Sequence, residues 1–289
     1  MLKAPLLLAF TFSSQLLWSQ ADTVSVIKTM SRQESLPSVK IYNGHPKWEI
    51  PVSIVLISAA SLGYKEMDKK ASLNESQVLA LDPLSINSFD RPAAYYDPAG
   101  FQSAMNKSDI LMVAASVSPL LLVFDKKMKR DRADLLGMLL LAQAIDNSIL
   151  FSGFLAVRRP RPLAYNPELS MDAKTGVGKT NSFFSGHVSW AAVSTFFIAK
   201  VYTDYHHIKG WKRILIYTGA AIPPSMVGYY RMHAGRHFES DAITGVVIGA
   251  ACGILIPELH KIKLKDKGIS VQPFYKFGAN GVSVSYAIK

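Results

Sequence analysis

Arg231-Met232-His233-Ala234-Gly235-Arg236-His237-Phe238-Glu239-Ser240-Asp241 is the stretch whose reading organises the rest of the chain. It joins two apolar runs, Ile214–Tyr230 and Ala242–Ile256, and holds two arginines, two histidines and two carboxylates. His237 and Asp241 are four residues apart, so on a helix they share a face and Asp241 can orient the imidazole. The competing reading of this cluster alone is a surface His–Asp pair.

Outward from it, the chain is apolar and basic. Of 289 residues, 49% are hydrophobic and 18% charged, with 32 Lys and Arg against 21 Asp and Glu and a formal charge of +11. This excludes a disordered chain, and the single Cys252 excludes a disulfide scaffold or a cysteine-built zinc site. A basic excess suits a nucleic-acid binder or a membrane protein, and the placement of charge favours the membrane without nucleic acid. Five strongly apolar segments run Ile110–Phe124, Leu135–Val157, Val188–Tyr202, Ile214–Tyr230 and Ala242–Ile256. Lys126, Lys127, Lys129, Arg130 and Arg132 follow the first, Lys209, Lys212 and Arg213 the third, and Lys261, Lys263, Lys265 and Lys267 the fifth. Placed together in the cytoplasm, these clusters obey the positive-inside rule and put loops Arg158–His187 and Arg231–Asp241 on the opposite, periplasmic face. The first of those loops carries Arg158, Arg159, Arg161, Lys174 and Lys179 against the trend, as expected where an anion binds.

Residues 1–20 read as a secretory signal or an uncleaved N-terminal anchor, as in an exported bacterial envelope protein. Residues 21–106 form a periplasmic arm with turn signals at Asp82-Pro83, Arg91-Pro92 and Asp97-Pro98. Its one apolar run, Val52–Gly63, falls short of the roughly 20 residues that span a bilayer, and reads as a membrane-surface or buried helix. Pro223-Pro224 should kink the fourth segment, and Gly245, Gly249 and Gly253 mark a stripe for close helix packing in the fifth. Residues 107–260 are the core. Residues 261–289 are a basic segment followed by an alternating tail that reads as a β-hairpin around Gly278-Ala279-Asn280-Gly281. Gly176-Val177-Gly178-Lys179-Thr180 imitates the end of a nucleotide-binding loop, but Ala173 replaces the first glycine and no strand precedes it, so it reads as a loop.

Two further clusters complete a set. Arg158-Arg159-Pro160-Arg161-Pro162 closes the second segment, and Phe184-Ser185-Gly186-His187 opens the third, where backbone N–H groups and a helix dipole suit an anion. Taken alone, the first reads as a membrane-flanking anchor and the second as an N-capping serine beside a histidine. Together with the third cluster they resemble the type 2 phosphatidic acid phosphatase (PAP2) family, related to bacterial class A acid phosphatases and vanadium haloperoxidases. Its pattern is Lys-x6-Arg-Pro, then Pro-Ser-Gly-His, then Ser-Arg-x5-His-x3-Asp. Arg161-Pro162, Ser185-Gly186-His187, Arg231, His237 and Asp241 fall on it in order, and the likeness covers Asp109 to Glu258. Three positions depart: Phe154 stands for the lysine, Phe184 for the proline and Tyr230 for the serine. At Phe154 a phosphate-neutralising cation is missing; either Arg158 or Arg159 substitutes, or phosphate affinity is weaker.

The resemblance implies an all-α, mostly transmembrane helical bundle, with Arg161, Arg231, Ser185 and the Gly186 N–H holding phosphate. It implies His237 as nucleophile forming a phosphohistidine, Asp241 as its orienting carboxylate, and His187 as the acid and base for leaving group and water. No metal or cofactor is implied, because arginines supply the positive charge. His233 and Arg236 lie outside the fixed motif positions. The substrate class expected at the periplasmic face of the inner membrane is a lipid phosphate monoester or pyrophosphate, with its chain left among the membrane lipids. Phosphatidic acid, phosphatidylglycerol phosphate, undecaprenyl pyrophosphate and lipid A phosphates all satisfy it. A non-catalytic lipid-phosphate binder, a phosphotransferase and a haloperoxidase using the same pocket are the alternatives.

Overall fold

A computed structural model of the protein describes residues 40–262, 269–276 and 279–286. The expected N-terminal signal or anchor and the polar stretch up to residue 39 lie outside the described residues. Six long helices are α1 (Pro46–Lys70), α2 (Phe101–Val117), α3 (Arg132–Ala156), α4 (Gly186–Tyr205), α5 (Gly210–His233) and α6 (Glu239–His260). The five apolar runs of the sequence fall on α2 to α6. In the first of them Pro119, which has no N–H to donate, sits where α2 gives way to a 3-10 turn over Ser118–Phe124. Pro223 and Pro224 lie inside α5.

Segments Pro46–Lys70, Pro98–Phe124, Arg132–Ala156 and Glu239–His260 have the length and apolarity to cross a membrane. The first is an addition to the sequence reading. The run Val52–Gly63 is only the middle of a 25-residue helix, which Pro46 starts at a position that tolerates proline. The two ends of α1 lie at opposite ends of the bundle. Just before it, the Asn43 N–H donates to the His260 carbonyl (2.8 Å); just after it, Leu73 and Gly176 exchange N–H···O bonds at 3.1 and 2.9 Å. The described part of residues 21–106 therefore reaches both ends of the bundle. The short apolar window was misleading because α1 also packs along α3, with Gly63 against Phe151 and Glu49 against Gly137, so part of its length needs no lipid-facing residues.

Helix α4 runs through the centre, touching α2, α3, α5 and α6, and its Val188, Ala191, Ala192, Val193, Phe197 and Val201 are all buried. An enclosed helix can carry charge if the charge is paired: buried Lys200 is bonded to Asp204 and lies 2.6 Å from Glu258. The glycine stripe of α6 lies directly on the α4 backbone. A Cβ on Gly245 would stand 2.7 Å from the Ser185 carbonyl, and one on Gly253 2.5 Å from that of Val193. This close approach fixes the N-terminus of α4 against that of α6, and those two helix starts carry the second and third motifs.

The three proline turn signals become short 3-10 turns at Pro83–Ser85, Arg91–Tyr95 and Pro98–Gly100. Beyond the bundle, β1 (Ile269–Lys276) and β2 (Ala279–Tyr286) pair antiparallel, with Lys276 opposite Ala279. That register places Ala279, Asn280 and Gly281 within β2.

Candidate active site

All three motifs meet at one end of the bundle, and main-chain bonds stitch them together. The Arg161 N–H donates to the Lys179 carbonyl (2.8 Å), Leu163 N–H to Gly235 (3.0 Å), Ser182 N–H to Arg159 (3.1 Å) and Ser185 N–H to Asp241 (3.1 Å). Gly235 makes the turn from α5 into the third motif at φ +64°, where a Cβ would also strike the Phe101 ring at 2.6 Å. The Gly176–Thr180 segment does not cradle anything. Its Gly178, Lys179 and Thr180 N–H groups donate to Asp68 and Ala71 carbonyls, strapping the loop to the end of α1.

His237 lies in the turn before α6, not on it, and is buried. This corrects the expected His237–Asp241 contact, which needed both residues on one helix. Asp241 is the third residue of α6, and its Oδ2 accepts the Phe238 N–H at 2.9 Å, capping the helix start. The same oxygen accepts the Ser182 hydroxyl at 2.6 Å, while Oδ1 accepts Arg159 Nη1 at 2.7 Å. The partner of His237 is instead the Ser182 carbonyl, 2.7 Å from Nδ1. A carbonyl can only accept, so Nδ1 carries the proton and the Nε2 lone pair is left free. Asp241 is thus connected to His237 at one remove, through Ser182.

Burial, reinforced by the positive charges of Arg231 and Arg161, holds the His237 pKa well below the usual histidine range. The imidazole is therefore neutral near pH 7. Arg161 has its pKa drawn down to about 9 by burial and by Arg236 and Arg231, and it remains charged at neutral pH. Burial also lowers the pKa of Arg236, which is one of the residues the motif pattern set aside.

Among the described residues Arg161 and Arg236 have no ion-pair partner, and Arg231 has a single long one. Arg161 Nε donates to Asn181 Oδ1 (3.0 Å) and Arg236 Nη2 to Met105 Sδ (3.3 Å). Arg231, 6% exposed, reaches only Asp109, at 3.5 Å, and its Nε has no partner. Ser185, the N-cap of α4, is fully buried with its hydroxyl unpartnered. Buried donors are normally satisfied, and unpaired buried charge is costly, so this donor set suits an oxyanion. Among the described residues no cluster of His, Cys, Asp or Glu is arranged to hold a metal ion.

The two auxiliary arginines differ in how they are engaged. Arg158 is exposed. Arg159 is committed elsewhere: it bonds Asp90 at 2.6 Å, Asp241 and Ser240, and lies 4.0 Å over the Phe238 ring. Burial raises the Asp90 pKa, but Arg159, Asn87 and Ser240 together hold it below the usual carboxylate range. Phe154 is buried with Met67, Leu150 and Phe184, and Tyr64 stands edge-on to it at 5.9 Å. Two departures from the motif pattern, Phe154 and Phe184, therefore share one apolar cluster. The third, Tyr230, precedes Arg231 on α5 with its ring 5.6 Å from the Lys107 ammonium. His233 stacks on Tyr96 at 4.2 Å.

Sequence reasoning missed Ser182, Asn181, Asp90 and Asp109. Ser182 and Asn181 lie beside the second motif, where a polar pair could have drawn notice. Asp90 and Asp109 come from upstream segments that only folding brings close. Asp109 Oδ1 is 3.2 Å from His187 Nε2.

Residues 132–264 match the family model described as the PAP2 superfamily. No curated protein matches the chain. Among solved structures, LpxE of Aquifex aeolicus is 24% identical over 52% of this chain and 85% of its own, with a TM-score of 0.35. The transmembrane PAP2 type phosphatidylglycerolphosphate phosphatase of Bacillus subtilis is 20% identical over 74% of this chain and 94% of its own, also with a TM-score of 0.35.

Proposed function

We propose that this chain, whose residues 132–264 match the PAP2 superfamily model, is a phosphatase of that type that hydrolyses a lipid phosphate ester through a phosphohistidine on His237. The observation that carries this reading is the set of buried, unpaired donors, Ser185 Oγ and Arg231 Nε, beside a neutral histidine whose Nδ1 is fixed by a carbonyl. Phosphate oxygens bound by Arg161, Arg231, Ser185 and the Gly186 N–H leave phosphorus open to His237 Nε2. Attack forms the N–P bond and breaks the P–O bond to the alcohol, and His187 passes its proton to the departing alkoxide. His187 then takes a proton from water, whose oxygen attacks phosphorus and releases inorganic phosphate and free His237. Guanidinium groups disperse the charge of the transferring phosphoryl group, so no metal is needed for that task.

The charge pattern supports a site on the periplasmic side. Lys261 pairs with Asp204 (3.0 Å) and His206 with Asp125 (2.7 Å), at the end of the bundle remote from the site. The basic connections at residues 126–132 and 209–213 leave the bundle at that same end. With that end in the cytoplasm, the site opens to the periplasm, where a lipid headgroup can enter while its chains stay in the bilayer.

Phosphate release by the purified protein in detergent, with chelator present, over lipid phosphates that include a C55 diphosphate tests the reading. Turnover abolished in His237→Ala, with a phosphoprotein trapped by alkaline denaturing quench, is the expected result. Lipid-phosphate binding without turnover would favour the non-catalytic alternative, to which the burial of Phe154 gives its one support.

A further inference from the structure

Asp109 lies on α2, and no motif pointed to it. Its Oδ1 sits 3.2 Å from His187 Nε2 and 3.5 Å from Arg231 Nη1, and the side chain is half exposed. Met105, one turn earlier, touches Arg236. Helix α2 therefore lays a single carboxylate along the rim of an otherwise cationic pocket.

Its position relative to the reaction follows from His187. The proton donor must stand beside the leaving oxygen, and Asp109 stands beside the proton donor. The carboxylate thus stands beside the leaving group's proton donor, at the edge of the phosphate site where it also meets Arg231. We propose, resting on the phosphatase reading above, that Asp109 determines specificity by favouring phosphate monoesters of uncharged alcohols over diphosphates.

The two substrate classes differ in what departs. A monoester releases an alkoxide that takes the His187 proton as the P–O bond breaks, leaving a neutral alcohol beside Asp109. A diphosphate releases a second phosphate group, which keeps its negative charges beside the carboxylate. Arg161 and Arg231 act on both substrates at the transferred phosphate, whereas the Asp109 charge opposes only the second. One unit charge a few ångströms away in a partly desolvated site is enough for about a tenfold discrimination.

Phosphatidic acid and diacylglycerol diphosphate with identical chains, in the same mixed micelles, form the test pair. The expected kcat/KM ratio favours the monoester by about tenfold or more in the wild type, and Asp109→Asn and Asp109→Ser both shrink it about fivefold or more. A folding defect lowers both rates together and leaves the ratio alone, so the ratio reads charge rather than structural damage. An unchanged ratio in active variants, or a wild type that prefers the diphosphate, overturns the role of Asp109 while leaving the phosphatase reading intact. A wild type inactive on both lipids overturns this inference, and inactivity over the whole lipid-phosphate panel overturns the phosphatase reading as well.

Discussion

Asp241→Asn separates an indirect role for this carboxylate from a direct one. Asp241 accepts three donors: the Ser182 hydroxyl at 2.6 Å, the Phe238 N–H at 2.9 Å and Arg159 Nη1 at 2.7 Å. An asparagine offers one oxygen, so its amide nitrogen must face either Arg159 or the Ser182–Phe238 pair, donor against donor. Breaking a buried ion pair by removing one partner costs about 3–5 kcal/mol. The lower figure applies, because Arg159 keeps its bond to Asp90 and its side chain is 22% exposed. For a chain of this size about 3 kcal/mol lowers the thermal midpoint by roughly 6–12 °C. The bond from His237 to the Ser182 carbonyl survives the substitution, so kcat should fall only about tenfold, as Ser182 loosens. Thermal unfolding in detergent and steady-state kinetics on one preparation read both quantities. A midpoint within about 2 °C of wild type, with kcat reduced about ten-thousandfold, would place Asp241 directly on His237 and refute the indirect route. Ser182→Ala completes the cycle: the double variant should be non-additive in kcat by about 1 kcal/mol or more.

Three further outcomes are expected. Phe154→Lys, which restores the motif lysine, should lower the thermal midpoint without raising phosphatase activity, because the ammonium would be buried among Met67, Leu150 and Phe184; a gain in kcat/KM would contradict this. Because His237 is held neutral in the fold, below about pH 6.5 the unfolded chain binds a proton that the folded chain refuses. Stability should therefore be full above that pH and decline below it, by up to about 1.4 kcal/mol per unit, and His237→Asn should lose this part of the slope; parallel wild-type and variant curves would exclude it. Gly249→Ala pushes a Cβ into the Ser189 carbonyl and Ala192 and should cost about 1–3 kcal/mol. Gly219→Ala, whose Cβ meets nothing within 4 Å, should be neutral or gain up to about 1 kcal/mol, and equal effects at the two sites would refute the helix–helix contact.

The helices of the core were legible because apolar runs and glycine spacing are local properties. Gly245, Gly249 and Gly253 announced the α4–α6 contact without any knowledge of the partner. Helix α1 was only half legible: an uninterrupted apolar window measures exposure to lipid, whereas a helix that leans on α3 can spend part of its length on residues such as Glu49, which lies 3.0 Å from His260. The site residues were legible as a set and not as pairs. Spacing located His237 and Asp241 together, but a spacing of four means contact only if the helix has already begun, and here it begins at Glu239.

The same limit explains the two carboxylates that matter most to the chemistry. Spacing alone gives Asp241 a neighbour that the fold does not, while Asp109, which touches His187, leaves no trace in any motif because α2 supplies it from outside them. A motif records which residue types recur at fixed spacing; it does not record which charge a neighbouring helix brings to the rim. In a pocket with this much positive charge, an added carboxylate acts on whatever leaves it more than on what is held. The transferred phosphate sits among arginines that outweigh Asp109, and the departing group does not. Binding and discrimination are then carried by different helices, the first by the motif residues on α4, α5 and the turn before α6, the second by α2. Substitutions along α2 should accordingly change which ester is cleaved while leaving inorganic phosphate affinity within about threefold, and those at Arg161 or Arg231 should do the reverse. Competitive inhibition by inorganic phosphate in Asp109→Asn and Arg231→Lys, set beside their substrate ratios, separates the two; a tenfold or greater change in phosphate affinity in Asp109→Asn would show that the carboxylate belongs to the phosphate cradle itself.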